Sequence, residues 1–138
     1  MAFSRHPIGI DVEKKRKVRA LAVATKFFSE EELAFISSDG TAKIEEKFFQ
    51  LWTAKEAVLK ADGRGITAGL REVFAFIKNR EIASLKLDSN FWNINCCSLV
   101  RAESAFGNRL EYFAALASSV EPSLIRWHDL DLAVSVDS

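Results

Sequence analysis

Trp52-Thr53-Ala54-Lys55-Glu56-Ala57-Val58-Leu59-Lys60, the second half of the segment Ala42 to Ala61, is the stretch on which the reading of this chain turns. Ile44, Phe48, Leu51, Trp52 and Leu59 recur at helical spacing, and no glycine or proline interrupts them, so the segment predicts a long amphipathic helix. Gly63 and Gly65 mark its end, because glycine tolerates the left-handed backbone that closes a helix. On this helix Glu56 and Lys60 lie four apart and share a face.

Upstream, Ser29 followed by Glu30, Glu31 and Glu32 is a helix start: a side-chain cap, then acids suited to the positive end of the helix dipole. That helix should reach about Ile36 and stop at Ser37-Ser38-Asp39-Gly40. Arg16 to Ala24 reads as a further helix, and Ile8 to Val12, behind Pro7, as a short buried strand. Downstream the texture changes. Arg71–Ile77, Ile82–Leu87, Phe91–Val100 and Arg109–Ala117 are rich in β-branched and aromatic residues, with turn signals at Lys78-Asn79 and Gly107-Asn108; Leu124–Trp127 is a last short strand. An N-terminal strand, then helices, then antiparallel strands make an α+β fold in a single domain spanning 1–138, with no repeat or linker.

Composition narrows the function. Lys plus Arg equals Asp plus Glu at 19 each, so bulk charge gives no reason to expect nucleic acid. Locally, Lys14, Lys15, Arg16, Lys17 and Arg19 crowd in directly after Glu13. The only cysteines, Cys96 and Cys97, are adjacent and offer no disulfide framework. No apolar run approaches the roughly 18 residues of a membrane span, and no signal peptide is legible, so a soluble, reduced, cytoplasmic protein without a membrane segment is expected. There is no phosphate-binding Gly-x-x-x-x-Gly-Lys loop, metal-binding histidine pair or serine elbow. His6 and His128 stand alone, one near the terminus and one expected on an edge-strand surface.

The chemistry therefore gathers on carboxylates. Asp11 and Glu13, two apart in a strand, project to one face. Packed against the helix face of Glu56 and Lys60, they would bring three carboxylates beside one ammonium group. Hard oxygen ligands suit Mg²⁺, which fills its octahedron with water and phosphate oxygens, and a neighbouring lysine then meets phosphate. Taken singly, each half also fits a solvated turn or an ordinary helix ion pair.

Jointly the wording is specific. Gly9-Ile10-Asp11-Val12-Glu13 with Trp52-Thr53-Ala54-Lys55-Glu56-Ala57-Val58-Leu59-Lys60-Ala61 resembles the 4′-phosphopantetheinyl transferase superfamily, its surfactin-synthetase-activating type more than its holo-acyl-carrier-protein synthase type. Lys26-Phe27-Phe28-Ser29 resembles the family's Arg-Phe-Phe-Ser stretch, and Lys60 to Ile66 its Lys-x-x-Gly-x-Gly continuation. The resemblance implies a phosphopantetheinyl transferase-like α+β fold and transfer of 4′-phosphopantetheine from coenzyme A to a serine of an acyl or peptidyl carrier protein. It implies Asp11, Glu13 and Glu56 as ligands of Mg²⁺ (or Mn²⁺) and Lys60 on the coenzyme A pyrophosphate. Glu56 is then the group that receives the serine proton, directly or through water, and Arg64 is placed among the coenzyme A contacts. Lys55 either adds charge near the same phosphates or is a solvated helix lysine. The basic run Lys14–Arg19, with Phe27 and Phe28, is placed to meet an acidic carrier-protein helix. The surfactin-type enzymes contain two similar halves and this chain resembles the second alone. It is accordingly expected as a self-associating dimer or trimer, sites near the subunit contact, or as a partner-dependent half without activity alone. Val73, Phe74, Phe76, Phe91, Trp92, Tyr112 and Phe113 are the apolar residues expected to supply an association patch.

Overall fold

The structure is a computed structural model that describes residues 2–64, 69–102, 109–122, 125–130 and 133–137, and for 2–3, 102, 126–130 and 133–137 the backbone alone. In chain order the elements are β1 (Ala2–Phe3), β2 (Ile8–Lys14), α1 (Ala20–Phe27), α2 (Glu30–Ser37), α3 (Ile44–Asp62), β3 (Val73–Lys78), β4 (Glu81–Leu87), β5 (Asn90–Ala102), β6 (Arg109–Ser118), β7 (Arg126–Leu130) and β8 (Ala133–Asp137). Five strands form one antiparallel sheet, ordered β2-β6-β5-β4-β3, and β1-β8-β7 form a smaller sheet in which β1 and β8 run parallel. The α+β expectation holds, with the first long strand returning to pair with the last strand of the large sheet, Ile8 opposite Ser118 and Lys14 opposite Tyr112.

Local chemistry accounts for most boundaries. Ser29 closes a capping box on α2: its hydroxyl accepts the Glu32 N–H (3.2 Å) while its own N–H donates to the Glu32 carboxylate (2.9 Å). Gly63 ends α3 at φ 84° and donates its N–H to the Leu59 carbonyl, as the glycine signal required. Between β3 and β4 the reversal is the two-residue loop Asn79-Arg80, both at positive φ, the geometry that matches strand twist. Gly65 and the Gly107-Asn108 signal lie outside the described residues.

Several boundaries differ from the sequence expectation. The first helix begins at Ala20 rather than Arg16, and Lys15, just past the end of β2, is still tied to β6: its N–H donates to the Glu111 carbonyl (2.7 Å) and its ammonium pairs with the Glu111 carboxylate (2.9 Å). Of the last expected strand, Leu124–Trp127, Leu124 lies outside the described residues, and the strand observed there runs Arg126–Leu130. β1 and β8 were not foreseen, although Val134-Ser135-Val136 does alternate.

The core lies between α3 and the large sheet, where Leu51, Ala54, Ala57, Val58, Val73, Leu85, Leu87, Ala115 and Ala117 are completely buried. Trp52 is a core aromatic, half-buried among Phe27, Phe28 and Phe48. Of the apolar residues expected to form a patch, Val73, Trp92 and Phe113 are buried in this core and Tyr112 is half-buried. Phe74, Phe76 and Phe91 do lie exposed, with Phe76 and Phe91 in ring contact at 5.7 Å. Among the described residues no helix is long and apolar enough to cross a membrane.

Candidate active site

The site exists because β2 and α3 approach backbone to backbone. A Cβ added at Gly9 would fall 2.1 Å from the Ala57 carbonyl oxygen and 2.4 Å from the Ala61 nitrogen. Only hydrogen fits there, so the glycine of the Gly9–Glu13 stretch is explained by contact rather than by a turn. Asp11 and Glu13 stand opposite Ala115 and Phe113 in the register, residues of the helix-covered face, so both acids point towards α3.

From α3 come Glu56 and Lys60. The Lys60 ammonium lies 2.6 Å from Oδ1 of Asp11. Asp11 is 6% exposed and Glu56 8%. Burial raises the Glu56 carboxyl above its ordinary range; the charge of Asp11 raises it further, Lys60 draws it back, and Glu13 adds a smaller push upward. The charges of Asp11, Lys60 and Glu13 thus all act on Glu56. The second carboxylate oxygen of Asp11 is buried with no hydrogen-bond partner.

Among the described residues no group of three His, Cys, Asp or Glu side chains is assembled into a metal cage. The reason is visible in the pairings. Asp11 Oδ1 is held by Lys60, and Glu13 Oε2 is drawn to Arg16 at 3.3 Å. What remains still fits a hard cation: one orphaned buried carboxylate oxygen, beside a glutamate whose ionisation is opposed by burial and by the charge of Asp11. Mg²⁺ needs only one or two protein carboxylates when phosphate and water complete its shell.

Two expected contributors sit elsewhere. Lys55 is neither a solvated lysine nor free for a phosphate. It is 1% exposed, and its ammonium lies 2.7 Å from Glu32, itself wholly buried. The helix turns it away from the carboxylates and into the interior. Arg64 lies past the end of α3, paired with Asp62 at 2.6 Å and with Asp88. In the basic run, Lys14, Arg16, Lys17 and Arg19 are exposed, but Lys15 is tied to Glu111 and Phe28 is buried against Phe48 and Trp52. Glu32 was missed by sequence reasoning, since its capping role was legible but its partner 23 positions away was not.

Comparison with known proteins gives the family. The sequence model of the 4′-phosphopantetheinyl transferase superfamily matches residues 7–115. The chain is 38% identical over 81 residues to the 4′-phosphopantetheinyl transferase psf-1 of Bacillus pumilus, covering 59% of this chain and 34% of that one. It is 35% identical over 108 residues to the 4′-phosphopantetheinyl transferase HetI of Nostoc sp., covering 72% and 44%. To the 4′-phosphopantetheinyl transferase Sfp of Bacillus subtilis it is 35% identical over 69 residues, covering 50% and 30%. The matched stretches thus span less than half the length of these relatives. With a family match running from the strand that carries Asp11 to the strand that pairs with it, the chain belongs to the 4′-phosphopantetheinyl transferase superfamily.

Proposed function

We propose that the chain is a cytoplasmic, Mg²⁺-dependent (or Mn²⁺-dependent) transferase that moves 4′-phosphopantetheine from coenzyme A to a serine hydroxyl of an acyl or peptidyl carrier protein. The observation that carries the reading is the buried, unpartnered oxygen of Asp11, set beside Glu56 and linked through its other oxygen to Lys60. Asp11 and Glu56, with Glu13 at the rim, would hold the cation, which supplies charge neutralisation on the pyrophosphate. Lys60 is 49% exposed on its side chain, so its ammonium can face both Asp11 and an incoming phosphate. The serine oxygen attacks the phosphorus that bears the pantetheine arm, the pyrophosphate bond breaks, and adenosine 3′,5′-bisphosphate leaves. Glu56 receives the serine proton, directly or through water. Arg64, 41% exposed on its side chain while pairing two aspartates, is the further candidate for coenzyme A phosphates.

Incubating the chain with an apo carrier protein, coenzyme A and Mg²⁺ and weighing the carrier protein tests this. The carrier should gain one phosphopantetheine. The matched length favours one second reading, a half that holds metal or coenzyme A but needs a partner for activity. No mass gain from a chain that binds coenzyme A would select it. In either case we place a second copy of the chain on the exposed Phe74, Phe76 and Phe91, giving a dimer or trimer that encloses coenzyme A better than one open wall.

A further inference from the structure

The turn of α3 that carries Glu56 is held from two sides. On one side, Gly9 brings the β2 backbone against Ala57 and Ala61. On the other, Lys55 sends its ammonium into the interior, 2.7 Å from Oε2 of Glu32. Glu32 does more than balance that charge. Its Oε1 accepts the N–H of Ala75 in β3 (2.8 Å), and its Oε2 also accepts the Ser29 N–H at the start of α2. Lys55 in turn donates to the Phe27 carbonyl at the end of α1 (3.4 Å) and lies 4.7 Å from the centre of the Phe28 ring. One ion pair therefore joins α1, α2, α3 and β3.

A buried ion pair is a poor device for stability alone, since apolar residues of similar volume commonly serve as well or better. What it has and apolar packing lacks is direction. Successive side chains on a helix are about 100° apart, so the rotation that seats Lys55 also sets where Glu56 points, and one turn later Lys60. We propose that Glu32–Lys55 is a positioning pair: it fixes the rotation of α3 so that Glu56 and Lys60 meet Asp11. It then serves the rate of the reaction more than the stability of the fold. This rests on the phosphopantetheine-transfer reading above.

The test is a pair of double variants in the full chain, with Mn²⁺ as the binding probe. Glu32→Leu/Lys55→Met removes both charges together and leaves neither orphaned. It should still fold, melting below wild type because the Ala75 and Ser29 N–H groups lose their acceptor. Its kcat should fall about tenfold or more with KM for the carrier protein unchanged, and Mn²⁺ should bind about tenfold more weakly. Glu32→Gln/Lys55→Gln retains neutral hydrogen bonds along the same lines and should keep kcat within about threefold of wild type. A folded Leu/Met protein with wild-type kcat and Mn²⁺ affinity overturns the proposal. Should that variant not fold, a folded Gln/Gln protein with kcat reduced tenfold overturns it instead. A wild-type chain that binds Mn²⁺ yet transfers nothing counts against the transfer reading, and the Mn²⁺ comparison then decides the positioning role by itself.

Discussion

Lys60 reaches from α3 to Asp11 on β2, ammonium to carboxylate at 2.6 Å, and leaves the other Asp11 oxygen buried without a partner. A carboxylate so arranged is half satisfied by protein and half reserved. Removing either member has different consequences. Asp11→Asn should abolish transfer while the protein still folds, because the amide keeps the shape and loses the charge. Lys60→Ala should lower kcat and also expose Asp11 to repulsion from Glu56, which a double-mutant cycle on Lys60 and Glu56 would detect as coupling. Independent, additive effects would argue against a shared site.

Glu56 should make the metal-free protein pH-sensitive in a defined direction. Its carboxyl is raised in the folded state, so the folded protein holds this proton more tightly than the unfolded chain does. The stability contributed is present below the ordinary carboxylate range and is lost as pH rises through the raised value. Glu56→Gln should therefore melt higher than wild type at pH 7 and equally at pH 3, measured by thermal denaturation without divalent cations. Added Mg²⁺ should narrow the difference at pH 7.

Gly9 should not tolerate a methyl group. The added Cβ meets backbone atoms of Ala57 and Ala61, which cannot rotate away. Overpacking of this kind costs about 1–3 kcal/mol, and separation of β2 from α3 should carry a loss of Mn²⁺ affinity with it. Urea denaturation of Gly9→Ala that matched wild type would contradict the close contact.

The expected carrier-protein surface is better probed through Lys14 and Lys17 than through Lys15, whose ammonium already serves Glu111. Reversing both exposed lysines to Glu should raise KM for the carrier protein, steepen no salt dependence, and leave KM for coenzyme A nearly unchanged. An unaltered KM would mark them as an ordinary solvated stretch.

Self-association should be readable by sedimentation at micromolar concentration. Phe76→Glu, on the exposed face shared with Phe91, should shift the protein towards monomer without lowering its melting temperature. A wild-type chain that sediments as a monomer would remove the second copy from the account.

How much of this was legible in the chain follows from which contacts are local. The Ser29 cap, the Gly63 terminus and the helix face of Glu56 and Lys60 depend on neighbours within a turn, and they appear as the spacing predicts. Strand alternation likewise put Asp11 and Glu13 on one face. Lys55 and Glu32 could not be paired from spacing, since only the packing of α2 on α3 brings them together. The same limit applies to the helix expected from Arg16, since the tie between Lys15 and Glu111 on β6 is set by the sheet and not by local spacing. Phe28, expected beside the basic run as part of a partner surface, is instead claimed by the core from α3, against Phe48 and Trp52.

The central claim is that Asp11, Glu56 and Lys60 together carry out phosphopantetheine transfer. The most direct measurement is the intact mass of an apo carrier protein after incubation with coenzyme A, Mg²⁺ and either the wild-type chain or Glu56→Gln. The account predicts a mass gain of one phosphopantetheine with wild type, dependent on Mg²⁺, and essentially none with the variant. An equal gain with Glu56→Gln would contradict it.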